Sequence, residues 1–138
     1  MSAEIAADAQ TVWTLLTSER ATWWPDMTFQ AAVGAPLVET WAEDGETKSA
    51  TGEITACEPR RLLAFRWREP GWQDSLDVAV RLAATGQRTA VTITETGFVR
   101  AQTAPALARD HEEGWLHHLG QLRRACERRA HSQHPVSS

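Results

Sequence analysis

The chain has no tyrosine, a single lysine and two cysteines among its 138 residues. Each shortage removes a class of explanation. Cys57 and Cys126 show no CxxC spacing, so the expectation is reduced thiols in a cytoplasmic protein. Thirteen arginines against one lysine read as a coding bias rather than a set of anion sites. Positive charge is scarce overall: the formal net charge is -4, which argues against nucleic acid as a partner, since phosphate binding wants a basic face. No apolar run approaches the roughly 20 residues of a membrane span. The opening "MSAEIAADAQ" has neither a basic nor an apolar leader segment, so no secretory signal is expected. Neither a Ser-His-Asp arrangement nor a phosphate loop is present. Both cysteines read as buried and inert, because a nucleophilic thiol wants a basic partner in register.

What remains is an apolar fraction of 42% and seven tryptophans. That supports one domain with a real core, expected over residues 1–130, followed by a polar, disordered tail over 131–138. The tryptophans either fill a roomy core or line a pocket. Asp8 is placed to cap a helix over "AQTVWTLLT", with Val12, Trp13, Leu15 and Leu16 on its apolar side. Ser18 is placed to cap a second short helix, "ERATWW", that Pro25 ends. From Met27 the period becomes that of strands. "EDGE" (Glu43–Glu46) is a hairpin turn, and "EPRR" and "EPGWQD" are further tight connections. "SLDVAVRLA" alternates, with Leu76, Val78, Val80 and Leu82 on one face. Val91, Ile93 and Glu95 share a face of the next strand. Five or six strands in hairpin succession give an antiparallel meander. One face of it must be covered by the only long amphipathic element, a helix from about Ala104 to Arg129.

That helix contains "RDHEEGWLHHLGQL", three histidines and three acids within fourteen residues. At about 100° per residue, His111, Trp115, His118, Leu119, Leu122 and Cys126 form one stripe, and His117 faces the other way. The zinc-peptidase pattern needs histidines four apart, but the residue four after His111 is Trp115. His111 and His118 lie about 10 Å apart along the axis, so no metal site is expected. Asp110, Glu112 and Glu113 suit the positive end of the helix dipole.

"VW..L......WWP", "VGAPLVETWAEDGE", "GEITACEPRRLLAFRW", "TAVTITETGF" and "HEEGWLHHLGQLRRACE" occur in this order over about residues 5–128. Together they resemble the bacterial activator-of-heat-shock-protein-90-ATPase-like (AHSA-type) proteins of the START/polyketide-cyclase/birch-pollen-allergen superfamily. The resemblance implies an α+β helix-grip fold: a curved antiparallel sheet around a long C-terminal helix, with two short N-terminal helices and a hydrophobic cavity between sheet and helix. Two positions depart from the family pattern. Only "SAEI" stands where relatives have a full first strand, which leaves a short edge, an upstream start, or an edge covered by a second chain in a homodimer. Glu95 stands where relatives often carry histidine, so no role for that histidine transfers.

Strand parity groups Leu63, Phe65 and Trp67 on one face and Leu37, Glu39 and Trp41 on another. If the apolar residues face inward, Glu39 and Glu95 face inward too. A carboxylate against an apolar cavity must be paired or protonated, and Arg66 and Arg68 are the available partners. Trp24 and Trp115 match aromatic positions of the family and suit a cavity wall. Trp72, in a loop, suits a lid or a plug. The candidate ligand-binding set is Trp24, Glu39, Trp41, Phe65, Trp67, Trp72, Glu95, His111, Trp115 and His118, with His118 ahead of His111 as the polar contact. No catalytic residue, metal or cofactor is assigned. The expected function is binding of a hydrophobic small molecule such as a lipid, polyketide or aromatic metabolite. The alternatives are a cyclase- or hydrolase-type enzyme using Glu95 or His118 as base, and a chaperone- or stress-related interaction module.

Overall fold

A computed structural model describes residues 1–133. Seven antiparallel strands form one curled sheet in the order β1-β7-β6-β5-β4-β3-β2. In chain order these are β1 (Ser2–Ile5), β2 (Met27–Thr28), β3 (Pro36–Glu43), β4 (Glu46–Glu58), β5 (Leu62–Arg68), β6 (Leu76–Thr85) and β7 (Arg88–Thr96). The count exceeds the expected five or six because the sheet adds two short edges. β1 pairs with β7, and the two-residue β2 pairs with β3. The "SAEI" segment is thus a short edge strand. Between β1 and β2 lies helix α1 (Ala9–Leu16), and after β7 come α2 (Phe98–Ala101) and α3 (Leu107–Gln133).

Local chemistry explains most boundaries. The Asp8 carboxylate accepts from the Thr11 backbone N–H at 2.8 Å and starts α1. Asp44 and Gly45 both take positive φ, 52° and 77°, which is the geometry a two-residue hairpin between β3 and β4 demands. The long β4 breaks register between Ile54 and Ala56, and such bulges increase the local bend of a strand. "ERATWW" is not a capped helix. Only Arg20–Thr22 forms a 3-10 turn, flanked by Glu19 without a side-chain cap. A segment this short gains too few internal bonds to nucleate a helix unaided.

The buried face is the one the alternation marks. Leu76, Val78, Val80 and Leu82 of β6, Leu63, Phe65 and Trp67 of β5, and Val91 and Ile93 of β7 are all under 9% exposed. Trp115, Leu119, Leu122 and Cys126 of α3 pack into the same core. Cys57 is only half-buried, with its thiol directed at the Ala31 carbonyl at 3.4 Å. The α3 helix starts three residues later than expected and runs to Gln133, beyond the boundary set at residue 130. The rest of the expected tail, residues 134–138, lies outside the described residues. Polar ties hold α3 in place: the Arg129 guanidinium donates to both Glu19 oxygens at 2.6 and 2.8 Å, and Glu127 accepts from the Ala6 backbone N–H. Among the described residues no helix is long and apolar enough to cross a membrane.

Gly52 sits opposite Trp67 in the β4–β5 pairing. A Cβ there would run into the Arg66 backbone carbonyl, which cannot retreat without opening the ladder. Gly52→Ala is therefore expected to lower unfolding free energy by about 2 kcal/mol or more, the cost of overpacking a rigid site. Chemical denaturation measures it, and an unchanged midpoint would contradict the close approach.

Candidate functional site

Among the described residues, two of the spaces between the sheet and α3 differ in kind. The inner one is bounded by apolar side chains, among them Leu16, Trp24, Met27, Phe65, Leu119 and Leu122. It retains a volume of only about 20 Å³, room for about one water molecule. Large aromatic rings fill the rest. Trp24 meets Trp115 edge-on at 5.6 Å between centroids and stacks on His118 at 4.0 Å. The expected roomy apolar cavity is, in this chain, largely packed.

The outer space is a cleft of about 150 Å³ at the N-terminal half of α3. Strands β3 and β5 contribute Glu39, Trp41 and Trp67, and Glu69 follows directly after β5. The β5–β6 loop adds Trp72, and α3 adds Asp110, His111, Gly114, Trp115 and His118. Seven of the ten residues expected from sequence therefore meet here. Trp24 and Phe65 instead face the packed interior. Glu95 lies behind the cleft wall.

Glu95 is the organising group. Its side chain is 2% exposed, and three donors converge on it. The Trp67 indole N–H reaches one oxygen at 2.8 Å; the Trp115 indole N–H and the His111 Nδ1 reach the other at 3.0 and 2.9 Å. Arg66 and Arg68, expected as partners for the inward carboxylates, are engaged elsewhere. Arg66 pairs with Glu53 at 2.9 Å, and Arg68 donates to the Trp72 carbonyl. Indole and imidazole N–H groups satisfy the buried carboxylate in their place, as burial of charge requires.

The histidines exchange the ranks expected of them. His111, the weaker candidate, is the one joined to Glu95. Burial works to depress its pKa, but the hydrogen bond it donates to Glu95 and the charges of Glu95, Glu69 and Glu39 prevail and hold it above the ordinary value. His118 is driven down to about 4 by burial, with His117 alongside adding to the effect. Its Nδ1 is buried and has no hydrogen-bond partner among the described residues.

Glu39 accepts from the Trp24 indole N–H at 2.9 Å. Burial nevertheless pushes its carboxyl up to about 7, helped by the charges of Asp26 and Glu69 and opposed by Trp24 and His111. Glu69 is raised as well, chiefly by burial. Glu69 and Asp110 were not foreseen as site residues, one read as a turn residue and the other as a dipole partner. Parity carried the signal for Glu69, which continues the Phe65, Trp67 face.

A family model described as "Activator of Hsp90 ATPase homolog 1-like protein" matches residues 6–127. Among solved structures, DynU16 of the dynemicin biosynthetic locus superposes with a TM-score of 0.75 at 23% identity over 92% of this chain. This chain spans only 46% of DynU16's length. A Mesorhizobium loti protein gives 0.70 at 22% identity, covering 93% of this chain and 96% of its own. The Aha1 dimer from Colwellia psychrerythraea gives 0.68 at 19% identity, covering 92% and 93%. At these identities the likeness shows the fold alone. No curated protein matches.

Two outcomes test the site's electrostatics. Glu95→Gln places an amide N–H against an indole or imidazole N–H, so a loss of about 2–3 kcal/mol is expected; urea denaturation reads it, and a change under about 0.5 kcal/mol would contradict the three-donor arrangement. For Glu39, the folded state keeps its proton to about pH 7 whereas the unfolded chain releases it near 4.5. Between those values the folded protein holds the extra proton, so stability falls as pH rises through that window. Glu39→Gln is expected to remove this slope, and superimposable stability–pH curves for the two proteins would contradict it.

Proposed function

This chain belongs to the Activator of Hsp90 ATPase homolog 1-like family, and from that premise we propose that it is a cytoplasmic binding module for a small hydrophobic molecule. The ligand occupies the outer cleft between the sheet and α3. The fold fits ligand binding, and one observation carries the choice of place. The interior retains about 20 Å³ while the cleft offers about 150 Å³. A long acyl chain has no room in the interior. A single-ring or small bicyclic compound suits a cleft walled by Trp41, Trp67 and Trp72, with a few polar groups to orient it.

One observation favours a second reading, an acid–base enzyme built on the same cleft. Glu95 binds His111 Nδ1 and so fixes the imidazole, leaving Nε2 as the ring nitrogen free to exchange a proton with a bound molecule. His118, with its pKa near 4, is a poorer base at neutral pH. The chaperone-related reading draws on the family name and on no feature of the cleft.

Indole, a neutral bicyclic probe, distinguishes the cleft from the interior. In proton–nitrogen spectra the expected result is a saturable shift of the Trp41, Trp67 and Trp72 side-chain resonances, with affinity falling about tenfold or more in Trp72→Ala. Perturbation confined to Trp24 and its packed neighbours, or no saturable shift, would refute the cleft as the binding site.

A further inference from the structure

We infer that the cleft selects a cationic ligand, a protonated amine or quaternary ammonium carried on an apolar or aromatic body. The inference rests on the binding reading above and specifies the ligand's charge.

The cleft's charges do not balance. Three carboxyl groups line it, those of Glu39, Glu69 and Asp110, and of its two lining imidazoles burial drives His118 down to about 4, which leaves His111 as the basic group. That imidazole is already committed, since its Nδ1 bonds to Glu95 at 2.9 Å. The nearby cations have partners of their own: Arg66 with Glu53, Arg68 with the Trp72 carbonyl, and Lys48 with Glu46. Among the lining residues the carboxyl groups outnumber the imidazoles that balance them, although the charges of His111 and Lys48 do act on Glu69.

The walls between them are aromatic. Trp41, Trp67 and Trp72 border the same space, and indole faces are the strongest side-chain attractors of a cation. Carboxylates alone would suit a hydrated metal ion as well as an amine. Indole walls disfavour the hydrated ion and favour a cation whose charge is spread over a carbon-bearing group. An anionic ligand would meet the three carboxyl groups.

His118, the other lining imidazole, adds no opposing charge: burial drives its pKa down to about 4, so the ring is neutral near pH 7. Glu39 supports the same conclusion. Burial, Asp26 and Glu69 push its carboxyl up to about 7, and a cation placed beside it would draw it back to the charged form.

A charge series on one shape tests this. Benzylamine (an ammonium ion at neutral pH), benzyl alcohol and benzoate share a ring and differ in charge. Titrated by calorimetry into the full chain, benzylamine is expected to bind at least tenfold more tightly than benzyl alcohol, with benzoate weakest. Glu69→Gln should reduce the benzylamine affinity severalfold and leave benzyl alcohol unchanged. Benzyl alcohol or benzoate equalling benzylamine, while indole still maps to the cleft, would overturn the cation inference and leave the binding reading standing. Failure of all three compounds together with indole would overturn both.

Discussion

A single buried carboxylate ties the two layers of this protein together. Glu95 comes from β7, Trp67 from β5, and Trp115 and His111 from successive turns of α3, and all meet within hydrogen-bond distance. An ionised carboxyl taken from water without partners is among the most costly groups a fold can bury. Three N–H donors make the burial tolerable, and each donor is thereby fixed in position. The register of α3 against the sheet follows, because His111 and Trp115 can reach one oxygen only when the first turns of α3 lie over the end of β7. The outer cleft is the space left in front of that arrangement.

Five of the seven tryptophans divide into two groups by where their rings stand. Trp67 and Trp115 donate to Glu95, and Trp24 donates to Glu39. These rings are anchored at the polar end and pack their apolar bodies into the core, where Trp24 and Trp115 help reduce the interior to about 20 Å³. Trp41 and Trp72 are half-buried and stand at the cleft. Aromatic mass that fills a cavity in one place thus builds a wall in another, and a binding site displaced toward the surface is the consequence. Glu39 joins the two regions, since it is bonded to an interior indole and also lines the cleft.

Much of the fold was legible from local patterns. The alternation in "SLDVAVRLA", the turn at Asp44–Gly45 and the stripe from Trp115 to Cys126 each depend on neighbours close in sequence, and each stands as expected. Parity also placed Glu95 and Glu39 on the inward faces. The partners of those carboxylates were not legible. Arg66 and Arg68 were the obvious cations, but they alternate to the outer face, and the donors came from aromatic rings far along the chain. The ranking of His111 and His118 inverted for the same reason. Both lie on the inward stripe of α3, and which of them meets Glu95 depends on how the helix docks, a matter of tertiary register that helical periodicity does not contain. The 3-10 turn at Arg20–Thr22 and the four-residue α2 were lost at the scale where propensity is weakest.

The central claim is that Glu95 is shared by three side-chain donors. Hydrogen exchange at those donors tests it most directly. The Trp67 and Trp115 indole protons and the His111 Nδ1 proton should exchange slowly in the wild-type protein, and all three should lose protection together in Glu95→Gln while the backbone amides of β5, β6 and β7 remain protected. Donors that lose protection one at a time, or an imidazole proton that exchanges as fast as that of exposed His117, would contradict the account.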